Sequence, residues 1–133
     1  MYETILVPLD GSEADRAIIA HLAVLAKIHG SKVHLIRVIH AHTRDAMRHE
    51  TEAAEADLRD KAGTLQSAGV PVEWTIEYGE PERVIPEKVE EIGADLIAMG
   101  THGHGWLVDT LFGSVAKVVR HRVSVPVLMI RSK

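Results

Sequence analysis

The chain has 133 residues, no cysteine, and 15 Lys and Arg against 19 Asp and Glu for a formal charge of −4, so disulfides, thiolate catalysis and sulfur-ligated metal are excluded. Its charges are interspersed without a basic run, which argues against a nucleic-acid partner, and no apolar run approaches the roughly 20 residues that span a bilayer. One hydrophobic core fits this length, so a single domain over 1–133 is expected, and an apolar run that starts at Ile5 without a basic leader points to the cytoplasm.

Thr4 to Leu9 is an apolar run containing Pro8 and ended by Asp10-Gly11-Ser12, the pattern of a buried strand that delivers a polar turn. Beyond it Ile18, Leu22, Leu25 and Ile28 keep helical spacing, with Ser12 as the expected N-cap and Gly30 as the stop. Lys32 to Ile39 reads as a second strand. Thr43 to Ala68 is rich in Glu, Asp, Arg and Ala around a thin stripe of Met47, Ala54, Leu58 and Leu65, which predicts a solvent-facing helix.

Val70, Val72, Trp74, Ile76 and Tyr78 alternate with Glu73, Thr75 and Glu77, the period of an edge strand with one wet face. Ile85, Val89 and Ile92 predict a short helix before Gly93, whose start is left open by Pro86. Asp95 to Met99 reads as the fourth strand, Val115, Val118 and Val119 begin a last helix, and Val125 to Ile130 is the closing strand. Five strands alternating with four helices predict an α/β fold: a doubly wound, Rossmann-like, five-stranded parallel sheet with helices on both faces and strand order 3-2-1-4-5. Such sheets bind ligands beyond the carboxyl ends of their strands where the order reverses, and both Asp10-Gly11-Ser12 and Gly100 fall there.

The segment Gly100-Thr101-His102-Gly103-His104-Gly105-Trp106 is followed by Leu107 to Phe112 and then by Gly113-Ser114 at the expected start of the last helix. Few β-carbons let backbone N–H groups approach a phosphate, and a helix start adds free donors and a favourable dipole. The competing reading is a tight turn with no ligand. A Walker A loop would need Lys after Gly113, and a GxGxxG from Gly103 would need Gly in place of Val108, so neither of those phosphate motifs is present.

Gly100, Gly103, Gly113 and Ser114 do reproduce the Gly-x2-Gly-x9-Gly-Ser pattern of the ATP-binding branch of the universal stress proteins, which the chain resembles over its whole length. Ile5 to Ser12, Gly93 to Ile97 and Val125 to Leu128 look like that family as well. The resemblance implies a nucleotide across the sheet crevice, ATP or else ADP or AMP, with Mg2+ a candidate companion. Its triphosphate would lie on Gly103, Gly113, Ser114 and Val115, and Pro8, Asp10, Val38, Met99 and Gly100 would surround the adenosine. Asp10 can accept from ribose hydroxyls or help hold magnesium, though a turn carboxylate needs no ligand. His104 and Trp106 depart from the basic and small residues that many relatives carry at those places.

The pairs His40-x-His42 and His102-x-His104 raise the question of a metal, but two strand spacings are expected to separate them. Three functions stay open: a nucleotide-binding regulatory module in stress response, placed first, a slow ATPase drawing on Asp10, His102, His104 and Ser114, or an interaction protein with an empty loop. A homodimer through Val125 to Ile130 is expected, because an uncharged edge strand invites pairing and the resemblance implies the same contact.

Overall fold

A computed structural model describes residues 1–101 and 111–131. The elements in chain order are β1 (Thr4–Leu9), α1 (Ala14–His29), β2 (Lys32–Ile39), α2 (Arg44–Ser67), β3 (Val72–Tyr78), α3 (Pro81–Ile92), β4 (Leu96–Thr101), α4 (Leu111–Arg122) and β5 (Val127–Arg131). The strands form one sheet in the order β3-β2-β1-β4-β5, and every pairing is parallel, as the alternation of strands and helices requires.

Strand parity divides the core. Ile5, Val7, Val33, Leu35, Leu96 and Ala98 pack with Ile18 and Leu22 of α1 and Leu58 and Leu65 of α2. The intervening positions Leu6, Ile36, Ile97 and Met99 pack with Ile85 and Val89 of α3 and Val115 and Val119 of α4. Both faces of the central strands are thus covered, which is why β1, β2 and β4 read as continuous apolar runs while β3, at the edge, alternates.

Pro8 lies in β1, a central strand, where a missing N–H would ordinarily break the ladder. Its register partner on β2 is Ile36, whereas the pairing of β1 with β4 comprises Ile5 with Leu96 and Leu6 with Ile97 and stops short of Pro8. The two strands therefore part at the point where the strand order reverses.

Local chemistry explains the other boundaries. Thr43 caps α2, its Oγ1 accepting the Ala46 N–H at 3.0 Å. Pro81 opens α3 at its first position, and Pro86 lies inside the helix. The Glu82 carbonyl that Pro86 cannot serve accepts instead from Arg122 of α4 at 3.3 Å.

Three expectations change. Ser12 is not the side-chain cap of α1: the N-cap position is Glu13, without a side-chain bond, and Ser12 contributes its carbonyl to the Asp15 N–H at 3.1 Å. The last helix begins at Leu111, so Gly113 and Ser114 are its third and fourth residues rather than its threshold. β5 begins at Val127, two residues later than expected, because Pro126 has a carbonyl for the Ile97 N–H at 3.1 Å but no donor of its own.

Among the described residues no helix is long and apolar enough to cross a membrane.

Candidate functional site

The chain leaves β1 through Asp10 and Gly11, and the shape of that turn follows from its carboxylates. Asp10 Oδ1 accepts the Ser12 N–H at 2.9 Å, the short-range bond that favours Asp in turns. Asp15, on the first turn of α1, accepts the Gly11 N–H at 2.8 Å through Oδ2 and the more distant Asp10 N–H at 3.4 Å through Oδ1. Gly11 itself has φ +81°, and a β-carbon there would stand 2.9 Å from the Arg37 guanidinium nitrogens. Glycine is required by conformation, whereas the end of the Arg37 side chain could shift to make room.

Beside this turn lies a cleft of about 610 Å³, at the carboxyl ends of β1, β2 and β3. Pro8, Ile36, Val38, Ile85 and Val115 supply its apolar wall. Asp10, Arg37, His40, Glu50, Glu80 and Glu82 supply its polar groups, so carboxylates outnumber cations around it. A few polar groups set into an apolar concavity of this size is the ordinary form of a small-molecule site.

Four of the residues named from the sequence, Pro8, Asp10, Val38 and Val115, line this one cleft although they come from β1, the turn after it, β2 and α4. Gly113, the third residue of α4, is the last whose backbone N–H has no acceptor within the helix, and Ser114 and Val115 follow it directly. Met99 is fully buried in the same apolar cluster as Val115 and Ile36, behind the lining.

Gly100 is different. A β-carbon there would point at α1, 2.6 Å from Ile18 Cδ1 and 3.5 Å from the Ala14 Cβ, so its lack of a side chain serves packing on the opposite face of the sheet. Gly103, His102, His104 and Trp106 lie outside the described residues.

Sequence reasoning missed Arg37, Glu50, Glu80, Glu82 and Ile85. The rule that found Asp10, looking just past the carboxyl end of each strand, would also have found Glu80 and Glu82 after β3. Arg37 carried a signal too, as the one charged residue between the first and last positions of an otherwise apolar β2 apart from His34. His40 and His42 touch edge to face, with ring centroids 5.3 Å apart. Among the described residues no group of three or more side chains that could ligate a metal converges.

Two charged side chains are fully or almost fully buried near these elements. Asp15 is pushed from its ordinary value of 3.8 up to about 7, first by burial and then by the neighbouring Asp10 charge, against the pull of the Gly11 and Asp10 amides and of Lys61. On the α3 side of the sheet, Lys88 bonds Glu77 at 2.7 Å and Glu91 at 2.9 Å. Burial opposes its charge, but these two carboxylates outweigh that and hold its pKa up.

Among the described residues Ser12 Oγ, just before α1, is buried without a hydrogen-bond partner. The Asp10 carboxylate, the free amides at the start of α4 and the apolar wall make a set suited to a nucleotide's mixed surface. A bare divalent cation fits less well, since Asp10 is the single carboxylate the turn delivers; magnesium would arrive on phosphate oxygens and keep its waters.

Comparison with known proteins agrees with this architecture. A putative universal stress protein of Staphylococcus aureus is 31% identical over 142 residues, spanning 99% of this chain and 86% of its own. The structure of the hypothetical protein MJ0577 superposes with a TM-score of 0.86 at 29% identity, covering 100% of this chain and 98% of that one. A universal stress protein in complex with cAMP superposes at 0.79 with 23% identity, covering 99% and 98%. The universal stress protein from Archaeoglobus fulgidus in complex with dAMP gives 0.75 at 23%, covering 97% and 98%; at these identities the two complexes establish the fold alone. The model of the universal stress protein family matches residues 1–131, and with a relative above 30% identity over nearly the whole length, the chain belongs to the universal stress protein family.

Proposed function

We propose that the chain is an adenine-nucleotide-binding regulatory module. The observation that carries this reading is one cleft that joins Pro8 and Asp10 with Val38 and Val115, positions that the family resemblance assigns to a nucleotide. Its apolar wall suits a purine, and Asp10 stands where a ribose hydroxyl can donate to it. The start of α4, with the backbone amide of Gly113, would take the phosphates together with Gly103, while Val115 stays part of the apolar wall. Two proteins of the same fold were captured with cAMP and dAMP, whose shared element is adenosine-like, and this favours recognition centred on the base and sugar.

ATP with Mg2+ on the glycine-rich segment is the finer form of the same reading. It is supported by the four signature positions Gly100, Gly103, Gly113 and Ser114, although Gly100 has a sufficient packing role of its own. Mass spectrometry of whatever leaves the freshly purified protein on denaturation, followed by calorimetric titration with cAMP, AMP and MgATP, tests it. Failure of all three to bind at millimolar concentration to ligand-free protein would overturn it.

The module would work as a homodimer through β5. That strand is the outer edge of the sheet, Met129 on it is 37% exposed, and its neighbours Val127 and Leu128 are half-buried, an apolar edge that another copy would cover.

A further inference from the structure

A buried carboxyl group stands behind the one that faces the cleft. Asp15 has no exposed surface, and its two oxygens take the amides of Gly11 and Asp10, while Asp10 takes the amide of Ser12. Every N–H from Asp10 to Ser12, the turn that carries Asp10 into the cleft, is thus held by one of these two side chains. The arrangement is unfavourable for Asp15 itself, since a carboxylate loses hydration on burial and here lies beside a second negative charge. An exposed acid on the same helical turn would serve the α1 dipole equally well, so the dipole does not account for the burial.

Resting on the nucleotide reading, we propose that Asp15 is a positioning residue: its ionised carboxylate fixes the turn that presents Asp10, and the cleft holds a nucleotide more tightly when that carboxylate is ionised. Protonation turns one oxygen into a donor, which cannot accept an N–H. The bond at 3.4 Å to the Asp10 amide is the weaker of the two and is the one released, so Asp10 loses its orientation while Gly11 stays anchored.

Among the described residues the charges around this group are few. Asp10 faces it from the turn, Lys61 acts on it from α2 while paired at 2.6 Å with Asp57, and the Arg37 guanidinium of β2 lies against Gly11. Burial and Asp10 together push Asp15 up to about 7, which places the change within the ordinary cytoplasmic range of pH.

The test uses the whole chain and two readouts. In amide NMR, the Gly11 and Asp10 resonances of the ligand-free protein should titrate with a midpoint near 7. Asp10→Asn should move that midpoint down by removing the second charge, and Asp15→Asn, checked for folding by circular dichroism, should abolish it. In calorimetry the probe is cAMP, whose own charge is constant over this range. Wild type should bind it about fivefold more tightly at about pH 8 than at about pH 6, the effect of roughly one hydrogen bond. Asp15→Asn, which mimics the protonated acid, should bind at the weaker level throughout.

A Gly11 amide that does not titrate in wild type, or a pH dependence that persists in Asp15→Asn, overturns the assignment of Asp15. Binding of cAMP that is independent of pH while Gly11 titrates overturns its functional role and leaves the nucleotide reading standing. Titration of Gly11 in a protein that binds none of cAMP, AMP and MgATP at any pH removes the nucleotide reading and this role together.

Discussion

Ile18 of α1 presses its Cδ1 to within 2.6 Å of the place where a β-carbon on Gly100 would stand, and its Cγ1 to 3.0 Å. Since Ile18 is fully buried, it cannot move aside without disturbing Leu22 and the strands beneath it. Gly100→Ala should therefore lose about 1–3 kcal/mol of stability by overpacking. Adding Ile18→Val should recover part of that loss in a denaturant titration, whereas independent sites would simply add.

Gly113→Val is the complementary experiment. This residue lies on the first turn of α4, where phosphate is proposed to meet the backbone, and a branched side chain would block that approach. Calorimetry with MgATP should find affinity reduced by about a hundredfold or more, the loss of two charge-assisted hydrogen bonds, with circular dichroism unchanged.

The stability of the fold should itself depend on pH through Asp15. Its folded-state pKa is raised from 3.8 to about 7, so between these values the folded chain holds a proton that the unfolded chain has released. Stability is then greatest below the lower value, falls as pH rises through this window, and stays low above it. Asp15→Asn should remove that slope and be more stable than wild type by at least about 1 kcal/mol at about pH 8 in urea titrations. A variant that stabilises the fold while weakening cAMP binding would separate the two roles of the residue.

Lys88 should resist substitution. It is 5% exposed and bonds both Glu77 and Glu91, so truncation removes a buried stem and leaves two carboxylates without their cation. Since Glu77 and Glu91 are themselves partly exposed and regain water, Lys88→Ala should cost about 1–2 kcal/mol, read as a lower midpoint in thermal or denaturant unfolding.

Met129→Asp tests the proposed dimer. A charge on the exposed face of β5 would face its own copy across a symmetric edge, where like charges repel. Sedimentation at micromolar concentration should show a dimer for wild type and 14.6 kDa monomer for the variant.

Most of the fold could be read from the sequence because its elements obey one periodicity each. The apolar runs of β1 and β2 and the alternation of β3 gave bounds that match to within two residues. The helix starts were harder, since they depend on which carbonyl and amide meet. Ser12 has the chemistry of a cap yet turns its carbonyl to the Asp15 amide, and α4 starts at Leu111, just after the cap-type residue Thr110, rather than at Gly113-Ser114. Asp95 is a further example: its carboxylate accepts the Glu3 and Thr4 amides at 2.9 and 3.1 Å and so clamps the start of β1, a contact between positions 91 and 92 apart that no local pattern encodes. The site divides in the same way. Pro8, Asp10, Val38 and Val115 follow from strand ends and family likeness, whereas the burial of Asp15 and the closeness of Arg37 to Gly11 arise from tertiary packing alone.

The early parting of β1 and β4 has a mechanical side. Their ladder has two register pairs, against six for β1 with β2, seven for β2 with β3 and five for β4 with β5, so the sheet is two plates stitched along a short seam. On one face α1 is the strap across that seam, tightened where Ile18 meets Gly100. On the other face the cleft has Pro8 and Val38 on one plate and Val115, carried by the helix that leads into β5, on the other. Anything seated there rivets the plates together, and whatever couples to their relative tilt will feel whether the seat is filled.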